Sequence, residues 1–270
     1  MAKEKVRLDS FVFAGGFAES REKAKALIMA GVVYVNNQKA DKAGLIIKEG
    51  DKVEVRDNPL KYVSRGGLKL EKAMQNFPIY LRGKICADIG ASTGGFTDCM
   101  LQNGASKVYA IDVGYGQLAW KLRSDERVVN LERTNFRYCT SEQIPDKLQF
   151  ASVDVSFISL SIIIPALVPL MEDGAEAVCL IKPQFEAGKE KVGKNGVVRE
   201  PEIHKEVVYK ILEVMKNNSL SVLGLDFSPI KGPEGNIEYL IYVKNNGQGE
   251  VADAVNVDEV ISHSHSNLDK

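Results

Sequence analysis

Lys84-Ile-Cys-Ala-Asp-Ile-Gly-Ala-Ser-Thr-Gly-Gly-Phe-Thr97 is the segment whose reading decides the fold. Apolar residues of buried-strand character run into Gly90, a turn with Gly94 and Gly95 follows, and a helix is expected from about Thr97. A strand, a glycine-rich turn and a helix start open a nucleotide-type α/β unit, because backbone N–H groups in the turn and at the helix end face a ligand. The dinucleotide pattern G-x-G-x-x-G requires glycine at position 92, where Ser92 stands, so the turn does not match that pattern.

Outward from this segment, strands are expected over 107–113, 128–131, 150–155 and 177–181. Helices are expected around 117–122, within 160–171 and over 201–217. Such alternation predicts a doubly wound, mostly parallel sheet with helices on both faces. Two further strands, 222–227 and 237–243, are separated only by a loop containing Pro229, Gly232, Pro233 and Gly235. No helix fits between them, so they should pair antiparallel and finish a seven-stranded, Rossmann-like α/β sheet with an antiparallel last strand. Residues 1–62 have a different texture. Leu8, Phe11 and Val12 recur at helical spacing, and Ser20 is a good N-cap for Ala24, Leu27 and Ile28. Short strands are expected at 32–35 and 52–55, with a closing turn at Asn58-Pro59. The expected division is a small α+β domain over 1–62, the α/β domain over 63–246, and an acidic tail over 247–270. A short helix near 253–261 is compatible with the tail, and a frayed end is favoured over metal binding by His263 and His265.

The chemistry converges on the carboxyl edge of the sheet. Asp88 precedes the glycine turn, where it could receive a ligand ammonium group. Asp112 ends the second strand, where a carboxylate can hold ribose hydroxyls. Two acids flanking a glycine turn suit S-adenosylmethionine (SAM), which has an α-amino group and a ribose but no pyrophosphate. The binding set then comprises Asp88, Gly90, Ala91, Ser92, Gly94, Gly95, Phe96, Asp112 and Asp154, with Asn135 and Phe136 framing the adenine. Asp154 ends the fourth strand and Lys182 the fifth. Glu238 lies near the start of the antiparallel strand, which is the same edge, and Lys69 falls early in the helix before the first strand. This set suits methylation of a poor nucleophile such as a sugar hydroxyl. Lys182 is the candidate to hold and deprotonate it, Lys69 favours the neutral form, and Asp154 and Glu238 orient the ammonium.

The composition is that of an ordinary globular protein, 270 residues with 44% apolar and 26% charged, which argues against disorder or a coiled coil. The charged N-terminus has no apolar segment behind it, and no stretch is long enough to span a bilayer, so a cytoplasmic protein without a membrane partner is expected. Cys86, Cys99, Cys139 and Cys179 form no C-x-x-C pair and read as reduced thiols. The net charge of −1 hides an asymmetry. Residues 1–65 carry 13 basic against 9 acidic side chains, and residues 246–270 carry 1 against 5. The front end is therefore compatible with a nucleic-acid partner despite the neutral total.

At these residues the chain resembles the TlyA (hemolysin A) family of rRNA ribose 2′-O-methyltransferases, whose catalytic domain is FtsJ/RrmJ-like. Arg7-Leu8-Asp9, Ser20-Arg21-Glu22-Lys23-Ala24 and Gly31-Val32-Val33-Tyr34-Val35-Asn36 look like an S4 RNA-binding domain. Ser64-Arg65-Gly66-Gly67-Leu68-Lys69-Leu70 looks like the family's junction motif, and Asp88 to Asp98 like its SAM loop. The resemblance implies a Lys69-Asp154-Lys182-Glu238 catalytic tetrad, SAM as methyl donor, no metal, and a cytidine ribose in ribosomal RNA or ribosomal subunits as substrate. It also implies RNA contacts by Arg7, Arg21, Lys23, Lys25 and Arg65; the long, glycine-rich loop over 184–199 suits a mobile flap, and its composition fits an unstructured surface loop equally well.

Three readings compete with it. A pseudouridine synthase would use Arg7-Leu8-Asp9 catalytically and leave the SAM loop unexplained. A ribosome-binding assembly factor would lack catalysis, and a membrane-lytic hemolysin would need an amphipathic cationic helix that the sequence lacks. Deletion of residues 1–60 is expected to abolish rRNA binding in a filter-binding assay, and retention of full binding would contradict the S4 resemblance.

Overall fold

The sheet forms where apolar strand residues alternate with amphipathic helices, and its two faces carry separate cores. The computed structural model describes residues 6–18, 20–29, 31–48, 50–55 and 61–269, so the turn expected at Asn58-Pro59 lies outside the described residues. The chain divides into two compact units, Met1–Lys61 and Tyr62–Lys270.

The first unit contains β1 (Val6–Arg7), α1 (Leu8–Ala14), α2 (Arg21–Met29), β2 (Val33–Val35), β3 (Gln38–Lys39), β4 (Ile46–Ile47) and β5 (Val53–Val55). The helical spacing of Leu8 with Val12, and of Ala24 with Ile28, places these residues in one core with Val33 and Ile47. Ser20 caps α2, its Oγ accepting the Lys23 N–H at 3.1 Å. Asn36 and Asn37 make the β2–β3 turn in the left-handed region that Asn tolerates.

The second unit contains α3 (Gly66–Asn76), β6 (Ile85–Ile89), α4 (Gly95–Gln102), β7 (Lys107–Ile111), α5 (Trp120–Arg123) and β8 (Val128–Leu131). It continues with β9 (Leu148–Val153), α6 (Leu160–Leu167), β10 (Met171–Ile181), α7 (Pro183–Glu186), α8 (Pro201–Asn217), β11 (Leu220–Phe227), β12 (Tyr239–Asn245) and α9 (Val257–Leu268). The seven strands run in the order β11-β12-β10-β9-β6-β7-β8, and β12 is antiparallel to both of its neighbours. This is the doubly wound, mostly parallel α/β sheet with an antiparallel last strand that the spacing predicts. Leu70, Ala73, Cys99, Met100 and Leu122 bury α3, α4 and α5 on one face. Ile163, Ile164, Val208, Ile211 and Ile261 bury α6, α8 and α9 on the other. All four cysteines are buried thiols.

Three local expectations need correction. The helix near 117–122 is reduced to the single turn of α5, and β10 begins at Met171, well before 177. The acidic tail is not frayed. Val251 bridges Val222, and α9 docks with Val257, Ile261 and Ser264 buried. Its polar composition hid this, because an amphipathic helix needs only one narrow apolar stripe to dock. His265 is turned toward the fold, its Nε2 lying 3.1 Å from Nδ1 of buried His204, and among the described residues no acidic, His or Cys group is arranged to hold a metal. Ile261→Ala is expected to lower unfolding stability by about 2–4 kcal/mol in urea titration, and an unchanged midpoint would contradict docking of α9.

Candidate active site

In register, the carboxyl ends Ile89, Ile111 and Val153 of adjacent parallel strands lie side by side, and Tyr239 of β12 pairs with Ile181 of β10. The residues that follow the parallel strands, and the one that precedes β12, therefore meet at one edge. These are Gly90, Asp112, Asp154, Lys182 and Glu238. Gly90 has φ +87°, and a Cβ there would lie 2.3 Å from the Asp154 carbonyl oxygen, so the glycine turn can lie against the Asp154 backbone only without a side chain. Gly95 does the same for the helices. A Cβ there would lie 2.4 Å from Ser64 Oγ and 2.8 Å from Gly67 N, and its absence lets the start of α4 press on the start of α3. That contact delivers Lys69 to the sheet edge.

Lys69 Nζ donates to Glu238 Oε2 at 2.6 Å and to Asp154 Oδ2 at 3.3 Å. Lys182 Nζ lies 2.5 Å from Asp154 Oδ1, off the direction of a hydrogen bond, and donates to Ser156 Oγ at 3.2 Å. Lys69, Lys182 and Glu238 are all buried. Burial opposes the charge on Lys69, but Asp154 and Glu238 outweigh it and raise its pKa above the ordinary lysine value. Burial likewise opposes ionisation of Asp154, and the two lysines outweigh it, holding the carboxyl below the usual range. The arrangement differs from expectation in one respect. Glu238 orients Lys69, not Lys182, and Asp154 alone is shared by the two lysines.

A cleft of about 540 Å³ opens beside this cluster, lined among others by Gly90, Ser92, Asp112, Asn135, Phe136 and Asp154. Asp112 shapes its rim by accepting from Ser92 N at 2.8 Å and Gly114 N at 2.7 Å. Asn135 caps the short turn after it, its side chain accepting from Arg137 N. Other expected ligand residues face elsewhere. Asp88 is sealed beneath the turn, where Oδ2 accepts Thr97 N and Oγ1 at 2.8 and 2.7 Å and Oδ1 accepts Ser152 Oγ at 3.2 Å. Burial pushes its carboxyl up to about 6. It braces the turn and does not line the cleft. Ala91, Gly94, Gly95 and Phe96 likewise are not among the cleft-lining residues. Phe96 is buried in the core, and Gly94 faces Leu118 and Leu122. Thr134, Gln117, Ser156 and Phe157 line the cleft without having been expected. Ser156 carried one signal, its place two residues after Asp154 on the same strand-end loop.

In the first unit, Arg7 and Arg21 turn inward. Fully buried Asp9 receives Arg7 Nε at 3.1 Å and Arg21 Nη2 at 3.3 Å. Both arginines stay about half exposed. Lys23 and Lys25 are exposed on α2, and exposed Arg65 sits at the start of α3. Residues 184–199, expected as a flap or an unstructured loop, begin within α7 and continue through two short 3₁₀ turns, Lys189–Lys191 and Lys194–Gly196.

Comparison with known proteins agrees with this architecture. The FtsJ-like methyltransferase family profile matches residues 62–245, and the S4 domain profile matches residues 6–53. The chain thus combines an S4 domain with a methyltransferase domain of the FtsJ-like class. It is 42% identical to the 16S/23S rRNA (cytidine-2′-O)-methyltransferase TlyA of Mycobacterium tuberculosis, over 89% of this chain and 90% of that one. YqxC of Bacillus subtilis, provisionally named an rRNA methyltransferase, is 50% identical over 99% of this chain and 97% of that one. A solved Streptococcus thermophilus chain with a provisional hemolysin name superposes with a TM-score of 0.80 at 46% identity, covering 99% of this chain and 98% of its own. The chain belongs to the TlyA (hemolysin A) family of FtsJ-like methyltransferases.

The Asp9 cluster has a pH signature. Hydrogen bonds from Arg7 first, aided by Arg21 and opposed by burial, lower the Asp9 carboxyl to about 2, against about 3.9 in an unfolded chain. Its stabilisation is complete above about pH 4 and is lost as the pH falls toward 2. Asp9→Asn should therefore reduce amide protection over residues 8–29 at pH 7, and the difference from wild type should shrink toward pH 2 in hydrogen exchange corrected for intrinsic rates. An equal difference at both pH values would contradict the ion-pair account.

Proposed function

We propose that this chain is a SAM-dependent rRNA 2′-O-methyltransferase acting on a cytidine ribose, with Lys69, Asp154, Lys182 and Glu238 as its catalytic group. The observation that carries the reading is the Asp154 carboxylate shared by two buried lysines at the mouth of the 540 Å³ cleft. The cleft's size and its mixed apolar and acidic lining suit a nucleoside-bearing ligand such as SAM. Asp112 would hold the ribose hydroxyls, Asn135 and Phe136 the adenine, and the Gly90–Ser92 backbone the underside. When bound, SAM supplies a methyl group on a positively charged sulfur.

The chain's own residues do the rest. Lys182 Nζ would hold the acceptor 2′-hydroxyl and take up its proton as the ribose oxygen gains the methyl carbon, the electron pair of the broken carbon–sulfur bond staying with the donor's sulfur. Asp154 holds Lys182 Nζ by charge, and Ser156 Oγ accepts its hydrogen bond at 3.2 Å. Lys69, itself held by Glu238, anchors the other oxygen of Asp154. Because the methyl group is already activated, alignment of acceptor and donor contributes much of the acceleration. The S4 domain and the rRNA methyltransferase names of the relatives support an RNA substrate. Exposed Lys23, Lys25 and Arg65, and the outward halves of Arg7 and Arg21, are the proposed phosphate contacts.

Lys182→Ala is expected to lower kcat for labelled methyl transfer to ribosomal subunits lacking the modification by about 10²–10⁴-fold, the range of general-base contributions. Full activity of Lys182→Ala would overturn the assignment of Lys182 as base.

A further inference from the structure

Asp154 and Lys182 begin two different loops, and their contact is only as good as the spacing of those loops. The loop after β9 runs from Asp154 to the start of α6. The loop after β10 starts at Lys182 and enters α7 at once. Glu186, the last residue of α7, points back across the gap and is 5% exposed. Its Oε1 accepts the Leu160 N–H at 2.7 Å, and its Oε2 accepts the Ser159 hydroxyl at 2.6 Å. Both partners lie where the β9 loop becomes α6. The nearby cation, Lys210, is half exposed and spends its shorter bond, 2.8 Å, on the Glu186 carbonyl, leaving 3.4 Å to the carboxylate. The carboxylate is thus satisfied mainly by the opposite loop.

The span between Asp154 and this fastening needs one. Phe157 has φ +63°, a strained conformation for a bulky residue that persists only when its surroundings impose it. The residue is 91% exposed, and its ring meets that of Phe185 of α7 at a centroid separation of 4.9 Å. Ser156 meets Lys182 at 3.2 Å. The two loops therefore touch at three levels, and Glu186 makes the buried, directional contact farthest from the chemistry.

We propose that Glu186 is a positioning residue that fastens the Lys182 loop to the Asp154 loop and sets the Lys182–Asp154 geometry. The role rests on the methyl-transfer reading given above. A misplacement of about 1 Å in such a pair costs on the order of 10²-fold in rate. Glu186→Ala releases both contacts and moves Lys182 relative to Asp154. The cleft walls assigned to the donor's ribose and adenine, in the loops after β6, β7 and β8, are left in place, and the β9 loop closes the other side of the cleft. Glu186→Gln keeps an acceptor for Leu160 N and offers an amide to Ser159 Oγ. Glu186→Asp is one methylene too short to reach both.

The test measures kcat, KM for SAM and SAM affinity by calorimetry for the full-length wild type, these three variants and Lys182→Ala, with unmodified ribosomal subunits as substrate. Glu186→Ala is expected to lose about 30–100-fold in kcat with KM and affinity for SAM within two-fold. Glu186→Gln should recover to within about five-fold of wild type, and Glu186→Asp should not. The positioning role is overturned by wild-type kcat in Glu186→Ala, by an equal loss of SAM affinity, which marks general disruption, or by failure of Glu186→Gln to recover. Full activity of Lys182→Ala would instead remove the methyl-transfer reading itself, whatever the Glu186 variants do.

Discussion

Two lysines and two carboxylates largely shielded from water have to neutralise one another, and the rest of this molecule is arranged so that they can. Removing a charge from water costs several kcal/mol per ion, and only close partners with directional bonds offset it. Asp154 is shared by Lys69 and Lys182, while Glu238 is committed to Lys69. These four residues come from the first turns of α3, the ends of β9 and β10 and the residue before β12. They can meet only if β9 and β10 are parallel neighbours and β12 enters from the opposite direction. The antiparallel last strand is thus a requirement of the site as well as a feature of the fold. Loss of any one member would leave a buried charge without its counter-charge.

Backbone proximity is the second requirement, and glycine satisfies it. The turn after β6 lies directly on the Asp154 backbone because Gly90 has no side chain, and α4 lies on α3 because Gly95 has none. The same turn is braced from below by Asp88 through Thr97 and Ser152. The proposed donor cleft and the charge cluster are consequently two sides of one rigid corner. The side toward α7 is different in kind. It is formed by two loops, one with a backbone strained at Phe157, joined through Glu186.

The sheet and the convergence of its edge residues were legible in the sequence because they follow from period and direction. Alternation gave the parallel strands, and a loop too short for a helix gave the reversal that brings Glu238 to the edge. What was not legible was the direction in which each side chain points. Asp88 lies inside β6 opposite Ala110 and is sealed under the turn, whereas Asp112 lies one residue past the end of β7 and rims the cleft. That offset of two residues appears only once the two strands are paired. Arg7 and Arg21 carry the charge expected of phosphate contacts, but the buried carboxylate that draws them inward, Asp9, stands in a triplet that reads as an ordinary helix start. Glu186 sat inside a loop read by its length and its glycines. The docking of α9 was masked by acidic composition, although Val257 and Ile261 are four residues apart on one face. Long-range pairings of this sort depend on tertiary packing, which a local pattern does not encode.

The central claim is that the cleft and its charge cluster place a methyl group on a ribose oxygen of ribosomal RNA. The most direct measurement is nucleoside mass spectrometry of unmodified ribosomal subunits incubated with the protein and SAM carrying a deuterated methyl group. The account predicts the label in 2′-O-methylcytidine. Label confined to a base atom, or no label in rRNA under conditions where SAM binds, would contradict it.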